Sequence, residues 1–120
     1  MNKFIIDFSN NRQPAQKIHF IGIGGISMSG LAQILLKEGF TVSGSDAKPS
    51  ALTEKLAAAG ARIFCPQSAA NITEDIDLVV YTAAIHGDNP EFAAARAANL
   101  PMLSRAEFLG RLMQNYARSA

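Results

Sequence analysis

The nine residues from Gly22 to Gly30, GIGGISMSG, constrain the fold of this chain more than any other segment. They follow the β-branched and aromatic run Ile18-His19-Phe20-Ile21, which predicts a strand that ends at the first glycine. They lead into apolar residues at helical spacing, which predict a helix from Ser27 to Lys37. A glycine-rich turn between a strand and a helix is typical of α/β folds that bind nucleotides.

The rest of the chain repeats this alternation of strands and helices. Apolar or β-branched runs predict further strands at residues 41–43, 61–64, 77–82 and 101–104, and helices are predicted to begin near residues 49, 88 and 106. Parallel strands need such crossovers, and right-handed crossovers limit the strand order. The sequence therefore predicts an α/β fold: a Rossmann-like open parallel five-stranded sheet in the order 3-2-1-4-5, with helices on both faces.

Two finer predictions concern the ends of the chain. Residues 1–16 carry a short apolar run followed by breakers and are predicted to form a leader or edge segment, with the domain spanning residues 17–120. In the last helix, four apolar side chains are predicted to face the core: Phe108, Leu109, Leu112 and Met113.

Length and composition narrow the class of molecule. The 120 residues are 48% hydrophobic and 18% charged, which is enough for one domain with a buried core. Lys and Arg number 11 against 10 Asp and Glu, so no basic surface for nucleic acid or membrane is indicated. The single Cys65 excludes an internal disulfide and a multi-cysteine zinc site. The absence of a signal peptide and of a membrane-length apolar run predicts a cytoplasmic protein.

The glycine turn has the chemistry of a phosphate site. Gly22 and Gly24 allow a tight turn and let backbone N–H groups approach a ligand closely. The helix adds unpaired N–H donors and about half a positive charge, which suits a diphosphate. Ser27 replaces the third glycine of the pattern G-x-G-x-x-G, and its hydroxyl can cap the helix or donate to phosphate. The alternative is that these glycines only permit tight packing of strand and helix.

Two further segments are predicted to end at the same edge of the sheet. Asp46 closes the second strand, where dinucleotide folds place an acid that accepts hydrogen bonds from ribose; the alternative is a loop or capping aspartate. After the fourth strand, the small residues of Thr82-Ala83-Ala84-Ile85 let a ring or sugar lie against the backbone, and Thr82 can donate its hydroxyl. These features indicate a nucleoside diphosphate without specifying its base.

Three other polar side chains are candidates for contact with a bound ligand. His86 can bind phosphate or sugar, although a lone loop histidine is more often simply solvated. Arg105, at the start of the last helix, can reach a ligand or a neighbouring domain. His19 lies mid-strand and is predicted to be a core histidine with satisfied hydrogen bonds. No catalytic residue and no metal-binding residue is predicted.

Several of these segments together resemble the Mur ligase family of bacterial peptidoglycan synthesis. The resemblance is to the member that joins L-alanine to UDP-N-acetylmuramate, and it runs in the expected order from about Lys17 to Met113. The matching segments are IHFIGIGGISMSGLA at residues 18–32, VSGSD at 42–46, YTAAI at 81–85, DNPE at 88–91 and SRAEFL at 104–109.

The resemblance implies that this domain holds the UDP part of UDP-N-acetylmuramate. By it, the residues facing the diphosphate would be Gly24, Gly25, Ser27, Met28 and Ser29. The uridine would be held by Asp46 and the strip from Thr82 to Ile85, with His86 and Arg105 nearby. Two positions depart from the family, since many members have glycine in place of Ser27 and histidine in place of Gln67, and Gln67 is assigned no role.

The resemblance also implies that this chain is one domain of a three-domain ligase. The complete enzyme would use ATP and Mg²⁺ to convert the muramoyl carboxylate to an acyl phosphate, which the amine of L-alanine attacks. No G-x-x-x-x-G-K-[ST] loop for ATP is present, so these 120 residues alone are predicted to be inactive. The alternative from another class is an NAD-binding or regulatory Rossmann module, because the glycine pattern suits both.

Overall fold

The computed structural model describes residues 16–85 and 87–119 and contains five strands and four α-helices in alternation. All of the predicted leader except Gln16 therefore lies outside the described residues. In chain order the elements are β1 (Lys17–Ile21), α1 (Ile26–Lys37), β2 (Thr41–Ser45), α2 (Ala51–Ala58), β3 (Arg62–Phe64), a 3₁₀ turn (Ala69–Asn71), β4 (Leu78–Tyr81), α3 (Pro90–Ala97), β5 (Met102–Ser104) and α4 (Arg105–Ser119).

The five strands form one parallel sheet in the order β3-β2-β1-β4-β5, which confirms the predicted topology. The register aligns Ile21 with Ser45 on one side and with Tyr81 on the other. Since parallel strands end at the same edge, the segments that follow β1, β2 and β4 emerge side by side. This edge carries the glycine turn, Asp46 and Thr82.

Each face of the sheet buries its own apolar cluster. On the first face, Phe20 and Val80 pack with residues of α1, α2 and α4, including Leu35, Leu56 and Phe108. On the second face, a smaller cluster joins the sheet to α3 and the loop before β4; its buried members are Ile21, Ile76, Val79 and Ala95. Alternate strand residues supply the two clusters because successive side chains of a strand point to opposite faces.

Helix capping follows local sequence signals. Ser50 accepts a hydrogen bond from the amide of Thr53, and the Thr53 side chain bonds back, so α2 begins with a capping box. Asn89 accepts from the amides of Glu91 and Phe92, and Pro90 takes the first position of α3. By contrast, α1 begins at Gly25 with no side-chain cap. Its first-turn amides therefore remain available at the edge of the sheet.

The prediction for one residue of α4 is wrong. Phe108 and Leu112 are buried and Leu109 packs against the core, as predicted, but Met113 is 62% exposed. At about 100° per residue, Met113 lies roughly 140° around the helix from Phe108, beyond the face that meets the sheet. Among residues 16–85 and 87–119, no helix has both the length and the apolar character needed to cross a membrane.

Candidate functional site

The glycine turn is tied to the end of β2. Gly22 has φ +86°, in the left-handed region that favours glycine. The amides of Gly22 and Ile23 both donate to the carbonyl oxygen of Ser45, at 2.8 and 2.9 Å. The amide of Gly25 donates to the carbonyl of Gly22 at 3.3 Å. The first amides of the turn are thus used within the protein, and they fix the position of the turn on the sheet.

A close contact reinforces this attachment. A Cβ atom on Gly44 would lie 2.4 Å from Cδ1 and 2.6 Å from Cβ of Ile23, distances that real side chains do not adopt. Glycine in the middle of β2 therefore lets the buried Ile23 side chain lie directly on the strand. Gly44 was not predicted to have this role, because the second strand was predicted to end at residue 43, whereas β2 continues to Ser45.

Asp46 and Gly24 lie at the same edge of the sheet, as predicted, and they are in direct contact, which was not predicted. Asp46 Oδ2 accepts the amide of Gly24 at 2.9 Å, and Oδ1 accepts the amide of Ala47 at 2.8 Å. Each carboxylate oxygen retains a second lone pair. The role of Asp46 toward a ribose hydroxyl therefore stays a prediction that this geometry permits.

The start of α1 supplies the donors for an anion. Residues Ile26, Ser27 and Met28 form the first turn, whose amides have no acceptor within the helix. The helix dipole adds partial positive charge at the same point. Gly25, Ile26 and Ser27 are all exposed, and Ile26 is 86% exposed. The helix therefore opens toward solvent with unpaired amides, and Ile26 is a candidate that the sequence analysis missed because only its amide is suited to the role.

Two of the residues predicted to face the diphosphate are buried in the structure, and their contact with a ligand stays a prediction. The amide of Ser29 donates to the carbonyl of Gly25 at 2.8 Å, and its hydroxyl donates to the carbonyl of Ile26 at 3.0 Å. Ser29 is 3% exposed, so neither of its donors is free for a ligand. Met28 is 1% exposed as a whole residue, and its side chain lies in the core, so neither its side chain nor an exposed amide is presented to a ligand.

Arg105 reaches the start of α1 from the beginning of α4, which packs on the same face of the sheet. Its guanidinium donates to the hydroxyl oxygen of Ser27 at 3.3 Å. Ser27 is exposed and does not cap the helix, which corrects one of the two roles considered for its hydroxyl. The structure thus places a permanent positive charge beside the first-turn amides of α1, and Arg side chains bind phosphate through several donors at once.

The segment after β4 forms a short turn at the same edge. The amide of Ile85 donates to the carbonyl of Thr82 at 3.0 Å. Thr82 and Ile85 are half-buried, and Ala83 and Ala84 are exposed. The predicted ligand His86 lies outside the described residues. An exposed strip of small residues next to the glycine turn is compatible with a flat ring, so the predicted contact with uridine remains open.

The sequence is similar to those of known proteins over most of its length. The family model described as "Mur ligase family, catalytic domain" matches residues 17–117. The chain belongs to the Mur ligase family. The UDP-N-acetylmuramate–L-alanine ligase of Agathobacter rectalis is 68% identical over 111 residues, which are 92% of this Mur ligase chain and 23% of that enzyme. The chain therefore spans less than a quarter of the length of this curated relative.

Solved structures give the same family. The UDP-N-acetylmuramate–alanine ligase of Thermotoga maritima matches with a TM-score of 0.79 and 38% identity, over 82% of this Mur ligase chain and 23% of that one. A UDP-N-acetylmuramate:L-alanyl-γ-D-glutamyl-meso-diaminopimelate ligase from Neisseria meningitidis matches with a TM-score of 0.73 and 34% identity, over 79% of this chain and 30% of that one.

A buried polar network lies next to the glycine turn of this Mur ligase chain. Its centre is Glu91, in the first turn of α3, whose side chain is fully buried. The carboxylate accepts four hydrogen bonds: from His19 Nε2 at 2.7 Å, Ser45 Oγ at 2.6 Å, the Ser68 amide at 3.1 Å and Asn71 Nδ2 at 2.8 Å. Four donors satisfy both oxygens, so the buried carboxylate is fully paired.

The network confirms the prediction for His19 and adds a residue that was missed. His19 is fully buried, and its Nδ1 is bonded to Ser43 Oγ at 2.8 Å. Glu91 was noted in the sequence only as an acid near a helix start. The available signal was the polar set His19, Ser43 and Ser45, which falls on one face of two neighbouring buried strands and needs a buried partner.

The hydrogen bonds of Glu91 make folding depend on pH. Burial raises the pKa of its carboxyl, but hydrogen bonds from His19, Asn71 and Ser45 outweigh burial and hold that pKa below its ordinary value of 4.5. The stabilisation is therefore complete above about pH 4.5 and is lost as the pH falls through the lower pKa of the folded state. In urea unfolding, we expect the difference in stability between the parent and Glu91→Ala to shrink with acidification; a constant difference would contradict this assignment.

Proposed function

We propose that this chain is the domain of a UDP-N-acetylmuramate–L-alanine ligase that binds the UDP part of UDP-N-acetylmuramate. One observation carries the proposal: the open N-terminus of α1, the Arg105 guanidinium and Asp46 surround a single edge of the sheet. The names of the Thermotoga and Neisseria relatives both include UDP-N-acetylmuramate and differ in what is joined to it. A shared domain for the shared substrate accounts for this.

The diphosphate would lie against the first turn of α1. The amides of the exposed residues Ile26 and Ser27 offer donors, and Arg105 offers a fixed charge beside them. Gly25 is exposed, and its lack of a side chain allows a phosphoryl group to approach the backbone. Gly22 and Gly24 act indirectly, by shaping the turn that places these donors.

The uridine would lie between the ends of β2 and β4. Asp46 has one lone pair left on each carboxylate oxygen for a ribose hydroxyl. The strip from Thr82 to Ile85 would support the uracil ring, and His86 follows directly in the sequence. The domain would extend over residues 17–120, as the sequence analysis predicted.

The complete ligase would act in the cytoplasm and join the muramoyl carboxylate to L-alanine with consumption of ATP. Within residues 16–85 and 87–119, no group of three or more His, Cys, Asp or Glu residues is arranged to hold a metal ion. The contribution of this domain is to fix the substrate, since a carboxylate held in one position reacts without a further loss of translational freedom.

Calorimetric titration of the protein with UDP-N-acetylmuramate, with UDP and with NAD(H) tests the proposal. We expect binding of the first two, because the diphosphate and uridine are the groups recognised, and no heat from NAD(H). The precorrin-2 dehydrogenase SirC, at 15% identity and a TM-score of 0.52, shares the fold alone and gives no reason to expect NAD. Binding of NAD(H) without binding of either uridine compound would reverse the proposal in favour of an NAD module.

Asp46→Ala is expected to weaken UDP-N-acetylmuramate binding by about 1–3 kcal/mol, because a ribose hydroxyl and the Gly24 amide both lose an acceptor. A matched control is Asp75→Ala, which removes an exposed carboxylate paired with Lys17 at the opposite end of β1. Affinity of the control should equal that of the parent. Equal affinities for Asp46→Ala and the parent in the same titration would remove Asp46 from the site.

A further inference from the structure

Ser45 connects the buried network to the glycine turn. Its hydroxyl donates to Glu91 Oε1 at 2.6 Å on the second face of the sheet. Its carbonyl oxygen accepts the amides of Gly22 and Ile23, the first two residues after β1. Ser45 is fully buried, so no water competes for either contact. One residue therefore joins the Glu91 carboxylate to the backbone that leads into α1.

The carboxylate of Glu91 is itself immobilised from two directions. Oε1 accepts from His19 and Ser45, on the two strands that flank the turn, whereas Oε2 accepts from Ser68 and Asn71 in the loop before β4. Hydrogen bonds to an ionised group in a buried setting are stronger than neutral ones and prefer one geometry. The two oxygens thus divide the network into a strand side and a loop side.

We propose that Glu91 is a positioning residue for the substrate turn, acting through Ser45 to hold the Gly22 and Ile23 amides and thereby the N-terminus of α1. The proposal rests on the proposed function for its effect on ligand affinity. Its structural part, the restraint of the turn, stands on the contacts alone. Donors that recognise a diphosphate act only when held at the right distance, so looser attachment of the turn lowers affinity even when the fold is intact.

The packing of Ile23 makes this coupling stiff. Ile23 lies against Gly44, the residue before Ser45, with no room for even one additional carbon atom. A displacement of Ser45 therefore moves both the carbonyl that holds the turn and the surface on which Ile23 rests. The glycine turn cannot move independently of the end of β2, because its backbone is bonded to Ser45 and its buried Ile23 side chain packs on Gly44.

A pair of variants separates positioning from stability. Ser45→Ala removes a donor on the strand side of Glu91, and Asn71→Ala removes a donor on the loop side. We measure amide hydrogen exchange at Gly22 and Ile23, and the Kd for UDP-N-acetylmuramate, well below the unfolding temperature of each variant. Ser45→Ala is expected to speed exchange at both amides and to weaken binding about tenfold or more, whereas Asn71→Ala should leave both within about twofold of the parent.

The two readouts distinguish the possible failures. If Ser45→Ala and Asn71→Ala have the same exchange rates at Gly22 and Ile23, the positioning role is overturned, whatever the ligand does. If the parent binds no uridine compound, the proposed function fails, and the exchange rates still decide whether Glu91 restrains the turn. A Glu91→Ala variant, which removes the acceptor of both His19 and Ser45, is expected to speed exchange at Gly22 and Ile23 at least as much as Ser45→Ala; exchange at the parent rate would overturn the positioning role.

Discussion

Gly24→Val is expected to reduce affinity for UDP-N-acetylmuramate by at least about a hundredfold, close to 3 kcal/mol. A Cβ atom at this position would lie 2.6 Å from Asp46 Oδ2 and 3.2 Å from Thr53 Cγ2. Valine adds two further methyl groups, so Asp46 must leave its bond to the Gly24 amide and the turn must shift. The change therefore removes the ribose acceptor and misplaces the start of α1 at once. Calorimetric titration measures the loss.

Gly30→Ala is the matched control for this substitution. A Cβ atom on Gly30, inside α1, would meet nothing within 4 Å. We expect unchanged affinity and a gain in stability of about 0.5–1 kcal/mol, since alanine favours the helix over glycine. If Gly24→Val binds as tightly as this control, the turn is not part of the ligand site.

Glu91→Ala is expected to lower the free energy of unfolding by about 3–5 kcal/mol. The substitution leaves the donors of His19, Ser45 and Asn71 without their acceptor in a buried site. Urea unfolding monitored by circular dichroism gives the change in free energy.

Glu54→Ala tests whether the position in the helix matters more than the network. Glu54 is also an acid in the first turn of its helix, α2, but it is exposed. Its loss removes only a favourable charge at the helix N-terminus and is expected to change stability by less than about 1 kcal/mol. Similar losses for Glu54→Ala and Glu91→Ala would contradict the structural importance of the network.

The sheet could be predicted from the sequence because its strands and turns are determined mainly by residues that are close together in the chain. The side chains of a strand alternate with a period of two, which puts Phe20 and Val80 on one face of the sheet. The glycine turn falls directly after β1, at a fixed distance from the end of the strand. The right-handed crossover rule then leaves few strand orders. The placement of Asp46 and Gly24 at one edge of the sheet followed from the same reasoning, since both lie at strand ends.

The network around Glu91 could not be predicted from the sequence, because the partners of Glu91 are distant along the chain. Glu91 bonds to His19 across 72 positions and to Ser45 across 46, and no local pattern indicates such a pairing. Met113 has helical apolar spacing, but the sequence does not state how much of α4 the sheet covers. Ser29 was predicted from its place in the glycine segment; its amide and hydroxyl donate to Gly25 and Ile26, which no motif indicates, and its contact with a ligand stays a prediction.

The contact between Asp46 and Gly24 lowers the entropy that the protein loses when a ligand binds. The amides of the glycine turn are bonded to Asp46 Oδ2 and to the Ser45 carbonyl oxygen, so the turn has one conformation before a ligand binds. Docking into a preorganised surface forfeits little chain entropy, so more of the interaction free energy is retained as affinity. A rigid glycine turn should also select against anions that are longer or shorter than a diphosphate.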